Sequence, residues 1–132
     1  MILGIGNDLV DSRRIEKTMN RFGMRFLNRV FTSQEQERIS KQYNHAIGYA
    51  KLFAMKEAVL KALGTGLAGG IIWHDVEIFR EFEHAPCVKL TGVALKVITK
   101  LTPKGHKASV HVSVSDEWPY AQAFAMISAT SI

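Results

Sequence analysis

The clearest pattern in the chain lies near its carboxyl end, where Ala108, Val110, Val112 and Val114 alternate with Ser109, His111, Ser113 and Ser115. Period two places the four apolar side chains on one face of a strand and the polar ones on the other. After a turn over residues 116–119, the mostly apolar run 120–129 predicts a partner strand, so a hairpin closes the chain. At the amino end, residues 2–10 are apolar with two glycines and predict a strand ending at Asp8, and Asp11 or Ser12 can cap a helix that starts at Arg13. Thr32 and Glu35 have the spacing of a capping box and predict a short second helix. Residues 46–63 are rich in Ala, Leu, Met and Lys and end at Gly64-Thr65-Gly66, which predicts a long helix with a glycine stop. Residues 73–80 and 87–91 predict strands, and 93–101 a short amphipathic helix closed by Thr102-Pro103. This irregular order predicts a single α+β domain over residues 1–132, an antiparallel-type sheet packed against a long central helix, rather than a regular parallel sheet.

On the long helix, Ala50, Ala54, Glu57, Lys61 and Gly64 fall within about 80° of one another at 100° per residue. The other faces carry Leu52, Phe53, Met55, Val59, Leu60 and Leu63, so this helix is apolar nearly all round and is expected to be buried. Small residues leave space beside the carboxylate and the ammonium, a setting suited to a divalent metal and a phosphate. The same two charges also fit an ordinary i,i+4 helix pair of roughly 0.2–0.5 kcal/mol. Both readings stand at this point, as they do for Asp8 (a turn residue or a functional acid) and for Gly64-Thr65-Gly66 (a helix stop or a close approach to phosphate). His111, among serines on a polar strand face, is either a solvated structural histidine or a ligand contact. Gly4-Ile5-Gly6 lacks the third glycine and following helix of a dinucleotide fingerprint, and no P-loop pattern is present. His45, His74, His84, His106 and His111 have no metal-ligand spacing with one another or with Cys87, so no zinc site is expected.

Composition narrows the class. In 132 residues, 17 Lys+Arg face 12 Asp+Glu for a net charge of +5, and 47% of the residues are hydrophobic against 22% charged. That balance excludes a disordered chain and predicts no membrane span. One cysteine excludes an internal disulfide and fits a reducing compartment, and the amino terminus lacks the basic region of a secretory signal, so a cytoplasmic location is expected. The excess charge is localised. Residues 13–29 carry Arg13, Arg14, Lys17, Arg21, Arg25 and Arg29 against Glu16 alone, which accounts for the whole net charge. If the helix runs through Gly23, Arg14, Arg21 and Arg25 fall within about 40° beside an apolar face of Ile15, Met19, Phe22 and Phe26. Such a stripe fits a solvated basic face, or a docking surface for an acidic helix or a phosphate backbone. A nucleic-acid-binding module is disfavoured, because aromatic residues are not interleaved with the cations for stacking and Asp8 and Glu57 would go unexplained.

Two stretches carry a family resemblance: residues 4–16, GIGNDLVDSRRIE, and residues 53–66, FAMKEAVLKALGTG. Together they resemble the signature motifs of the holo-[acyl-carrier-protein] synthases, the short class of 4′-phosphopantetheinyl transferases. The likeness extends to Phe31-Thr32 with Glu35, and to His111-Val112-Ser113 followed by Tyr120-Ala121. It implies the 4′-phosphopantetheinyl transferase fold and transfer of the phosphopantetheine arm of coenzyme A to a serine of an acidic acyl carrier protein. Adenosine 3′,5′-bisphosphate would be released, in the service of fatty acid biosynthesis. By position, the resemblance implies Mg²⁺ held by Asp8 and Glu57, Lys61 neutralising phosphate charge, Gly64, Thr65 and Gly66 along coenzyme A, and His111 near its phosphorylated ribose. It assigns Arg14, Arg21, Arg25 and Arg29 to carrier-protein docking, apart from the chemistry, and implies a homotrimer with sites at subunit boundaries and no nucleic-acid or membrane partner. Leu52, with Lys51 beside it, stands where many members have arginine. Glu57, a metal-bound water and a water held by Glu35 are the alternatives for the base.

Overall fold

The computed structural model describes residues 1–82 and 84–132. Strand β1 (Ile2–Asp11) leads into helices α1 (Ser12–Phe22), α2 (Met24–Val30), α3 (Ser33–Ser40) and α4 (His45–Leu63). Strands β2 (Val76–Arg80) and β3 (Pro86–Leu90), helix α5 (Gly92–Leu101) and the hairpin β4 (His106–Glu117) and β5 (Tyr120–Ser131) complete the chain. The long strands form an antiparallel sheet in the order β1-β5-β4, and β2 and β3 form a separate antiparallel pair. The α+β class is therefore as expected, with two sheets where one was anticipated.

The inner face of the larger sheet is made of small residues for a reason that lies in α4. Ala121, Ala123, Ala125, Ile127 and Ala129 are all buried, because α4 lies across them. Beside them, Gly4 and Gly6 of β1 bring strand and helix backbones into contact, since a Cβ at either position would overlap the carbonyl oxygen of Ala62 or Ala58. The two glycines that failed as a nucleotide fingerprint thus set the depth at which the helix seats. The alternation of β4 holds over its length, with Val110, Val112 and Val114 half-buried and His111 exposed on the outer face.

Four expectations need correction. The basic helix does not run through Gly23, whose φ of 55° and ψ of −131° end α1 and start α2, so the single arginine line on one cylinder does not form. Ala50 and Ala54 are fully buried and do not line the space beside Glu57; they serve packing. Residues 73–75 form a 3₁₀ turn instead of a strand start, because Oδ2 of the buried Asp75 accepts the Ile72 N–H at 3.2 Å and offers the backbone a local alternative to a ladder. β1 continues past Asp8 to Asp11, where the Asp11 carboxylate caps α1 by accepting the Arg13 N–H at 2.9 Å. Among the described residues, no helix is long and apolar enough to cross a membrane.

Candidate functional site

Asp8 and Glu57 meet. Asp8 projects from the inner face of β1, where it pairs in register with Ala123, and Glu57 precedes Ala58, the residue whose carbonyl touches Gly6. The close approach of α4 to β1 therefore carries both carboxylates into one cleft of about 400 Å³, walled by Val10, Ile15, Phe26 and Phe53 and edged by Arg14 and Thr18. Burial pushes the Glu57 carboxyl above the ordinary carboxylate range, the negative charge of Asp8 pushes it further, and Lys61 opposes both.

Lys61 does not pair with Glu57. Its Nζ donates to the Asn7 carbonyl at 2.9 Å and to Asp8 Oδ1 at 3.1 Å, with half of the lysine side chain exposed. Among the described residues no ion pair links Glu57 to Lys61, so the ordinary i,i+4 reading is not realised. Just beyond, Gly64 takes the left-handed conformation (φ 82°, ψ 3°) and Gly66 follows with φ 57°. A Cβ at either glycine would meet nothing within 4 Å, so this backbone is open to approach, and Thr65 Oγ1 donates locally to the Gly66 carbonyl.

The arginines divide. Arg14 edges the cleft that holds the two acids, which corrects the expectation that the basic segment lies apart from it. Arg25 and Arg29 line an adjoining groove of about 290 Å³ with Thr18, Phe22 and Phe26. Arg21 stacks over Phe22, its Cζ 5.0 Å from the ring centroid. Thr18 and Phe26 belong to both hollows, so acids and arginines share one continuous surface.

His111 lies elsewhere. It pairs in register with Met126 on the outer face of the sheet, opposite the face that carries Asp8, and its Nε2 is 3.0 Å from Ser128 Oγ. The structure thus brings Asp8, Glu57, Lys61 and Arg14 together in one chain and leaves His111 out. Leu52 is buried, and the neighbouring Lys51 reaches Asp116 Oδ1 at 3.2 Å.

Glu35 is also unavailable to this cleft. It is fully buried; its Oε1 accepts from Thr32 N at 2.8 Å and from Lys56 Nζ at 2.7 Å, and its Oε2 from Ile78 N at 2.8 Å. The capping box was legible in the sequence, but Lys56 was not singled out. The available signal was a cation interrupting a helix that is otherwise apolar nearly all round. The aromatic wall was missed as well: Phe53 packs on Trp73 at 5.1 Å, Phe26 meets Phe31 edge-on at 6.0 Å, and the fold brings Phe26 and Phe53, from separate helices, to one cleft.

The donor chemistry of the cleft suits one kind of cation. Among the described residues no group of three or more His, Cys, Asp or Glu gathers as a metal cage. Two carboxylates without further protein ligands match Mg²⁺, which keeps waters and shares phosphate oxygens, better than Zn²⁺ or Ca²⁺.

Comparison with known proteins shows the family and the fold. Residues 4–123 match the family model described as the 4′-phosphopantetheinyl transferase superfamily. This chain belongs to that superfamily. A holo-[acyl-carrier-protein] synthase of Mesorhizobium japonicum is 48% identical over 132 residues, covering 100% of this chain and 96% of the relative. Among solved structures, the holo-[acyl-carrier-protein] synthase of Neisseria meningitidis superposes with a TM-score of 0.82 at 32% identity, covering 97% of this chain and 99% of that one. The Helicobacter pylori enzyme, solved in complex with coenzyme A, does so with a TM-score of 0.80 at 29% identity, covering 94% and 99%. For this phosphopantetheinyl transferase, the family expected from the two motifs is the family found, and the fold is that of its solved members.

Proposed function

We propose that this chain transfers the 4′-phosphopantetheine arm of coenzyme A to a serine of an acyl carrier protein. The observation that carries the reading is the meeting of Asp8 and Glu57 in one cleft with Lys61 and Arg14 at its rim. In the transfer, the serine Oγ forms a bond to the phosphorus that bears pantetheine, the bridging P–O bond breaks, and adenosine 3′,5′-bisphosphate leaves with the electron pair. Such transfers need positioning and charge neutralisation more than covalent help. Asp8 and Glu57 would hold Mg²⁺, which supplies charge neutralisation at the pyrophosphate when bound. Lys61, half exposed and tethered to Asn7 and Asp8 of β1, has the reach to turn its ammonium toward a phosphate, and the open Gly64-Thr65-Gly66 backbone lies one turn beyond it. The serine proton goes to Glu57, whose carboxyl is held above the usual range, or to a water in the cleft; Glu35 drops out because its oxygens are committed.

The groove of Arg25, Arg29, Phe22 and Phe26, with Arg21 beside it, fits an acidic amphipathic helix of the carrier protein, and Arg14 stands where that partner would meet the acids. The outer face of the sheet argues for self-assembly. Ile5, Leu9 and Phe124 are 60%, 63% and 47% exposed on it, an apolar surface that a partner would cover. In a trimer with sites at subunit boundaries, His111 on that face would serve a neighbour's cleft, which reconciles its position with a coenzyme A contact. The same reading takes residues 1–132 as one transferase unit of the cytoplasm acting in fatty acid biosynthesis. Mass spectrometry of an apo-carrier protein incubated with this protein, coenzyme A and Mg²⁺ tests it: a gain of the phosphopantetheine mass is expected, and no gain with active coenzyme A and carrier would refute it.

A further inference from the structure

Lys56 is a fully buried lysine one residue before Glu57, and nothing in the transfer uses it. Its ammonium meets a carboxylate that is equally buried, at 2.7 Å. Glu35 in turn ties together three elements: the N-terminus of α3 through Thr32 N, α4 through Lys56, and β2 through Ile78 N. Stability alone is a poor reason for such a pair, since replacing a buried ion pair by apolar groups is often neutral or stabilising. The helix that carries it offers a better one. α4 is buried on nearly every side, so apolar packing alone selects its rotation weakly. Gly4 and Gly6 set how closely α4 approaches β1, but backbone contact does not by itself choose which side chain faces Asp8. A single directional bond from Lys56 to a carboxylate anchored on two other elements does. Lys56 also lies over the Phe31 ring at 5.8 Å, and Phe31 backs Phe26, a wall of the cleft.

We infer that the Lys56–Glu35 pair is a positioning element that fixes the rotation of α4 about its axis and so aims Glu57 at Asp8. A carboxylate about 6 Å from a helix axis moves about 1.5 Å when the helix turns by about 15°. Misplacement by about 1 Å costs on the order of 100-fold in rate. The inference rests on the transferase reading of Glu57, and its test separates the two.

Lys56→Met alone strands a buried carboxylate and mixes a large loss of stability with any loss of aim, so the informative protein is the Glu35→Gln/Lys56→Met double variant, in which neither partner is charged. Its thermal midpoint is expected within a few degrees of the parent. Its crystal structure is expected to show α4 turned and Glu57 displaced from Asp8. Its affinity for Mn²⁺, read by electron paramagnetic resonance, should fall about tenfold, and kcat should fall about 100-fold, with KM for the carrier protein within about twofold of the parent. A double variant with Glu57 in place and parental Mn²⁺ binding and kcat overturns the inference. So does one that fails to fold, because the pair would then serve stability. Failure of the transferase reading shows differently, as absence of carrier modification by the parent chain itself; the position of Glu57 in the variant crystal remains readable in either case.

Discussion

On consecutive turns of α4, Lys56 and Lys61 each hold a carboxylate from a distant segment, yet the two pairs behave as different materials. Lys56 and Glu35 are both wholly removed from solvent at 2.7 Å, whereas Lys61 is 51% exposed against a 15% exposed Asp8 at 3.1 Å. Burial pushes the Lys56 ammonium below its ordinary value even though Glu35 opposes the shift, so only the tight pairing and the shared hydrogen bonds keep a charge there. The Lys61 ammonium can exchange its partners for water at little cost. One helix therefore carries an immovable cation, suited to holding position, and a movable one, suited to meeting a ligand. Glu57 sits between them and takes its aim from the first and its chemical company from the second.

The contrast predicts opposite outcomes for the same substitution. Lys56→Met is expected to cost about 3–5 kcal/mol of stability, because Glu35 is left buried without a counter-charge. Lys61→Met should change stability by less than about 0.5 kcal/mol while lowering carrier modification by about 100-fold. Urea titration and mass-shift rates measure the two; equal stability losses would erase the distinction. Glu57→Gln, between the two lysines, should keep the fold by circular dichroism and lose about 10²–10³-fold in modification rate.

Gly6→Ala tests the seat of α4 that both pairs presuppose. A methyl group against the Ala58 carbonyl should push the helix off β1 at a cost of about 1–3 kcal/mol, with a matching fall in urea midpoint. The two halves of the basic surface should separate as well. Arg21→Glu is expected to raise KM for the carrier protein about tenfold and leave that for coenzyme A unchanged, whereas Arg14→Glu, at the rim of the acid cleft, should also lower kcat. Identical effects would return Arg14 to a purely peripheral role. The smallest effect concerns the exposed cap of α1. The guanidinium and backbone N–H of Arg13 hold the Asp11 carboxyl down to about 2 from an ordinary 3.8, so the cap contributes above the ordinary value and is lost only as pH falls through about 2. The Arg13 amide shift, followed by NMR in acid, should titrate there.

Local chemistry was legible wherever neighbours in sequence decide it. The Thr32 capping box, the Asp11 cap, the glycine stop of α4 and the period-two hairpin each depend on residues within a few positions of one another. What failed depended on contacts between distant segments. Gly23 is an ordinary tolerated glycine in a helix until the chain must turn so that Phe26 joins Phe53 in one cleft wall, and Ala50 and Ala54 look like free space until the core closes over them.

By itself the sequence determined the element types, the two motifs and hence the family, and the concentration of positive charge on one short segment, because propensity, period and spacing are one-dimensional quantities. Only the tertiary structure decided that Lys61 joins Asp8 instead of Glu57, that Arg14 enters the acid cleft, that His111 faces the other side of the sheet, and that Glu35 and Lys56 are sealed together. Each of those facts is a matter of which surfaces meet across the core, and that depends on the depth and rotation at which one helix seats on one sheet.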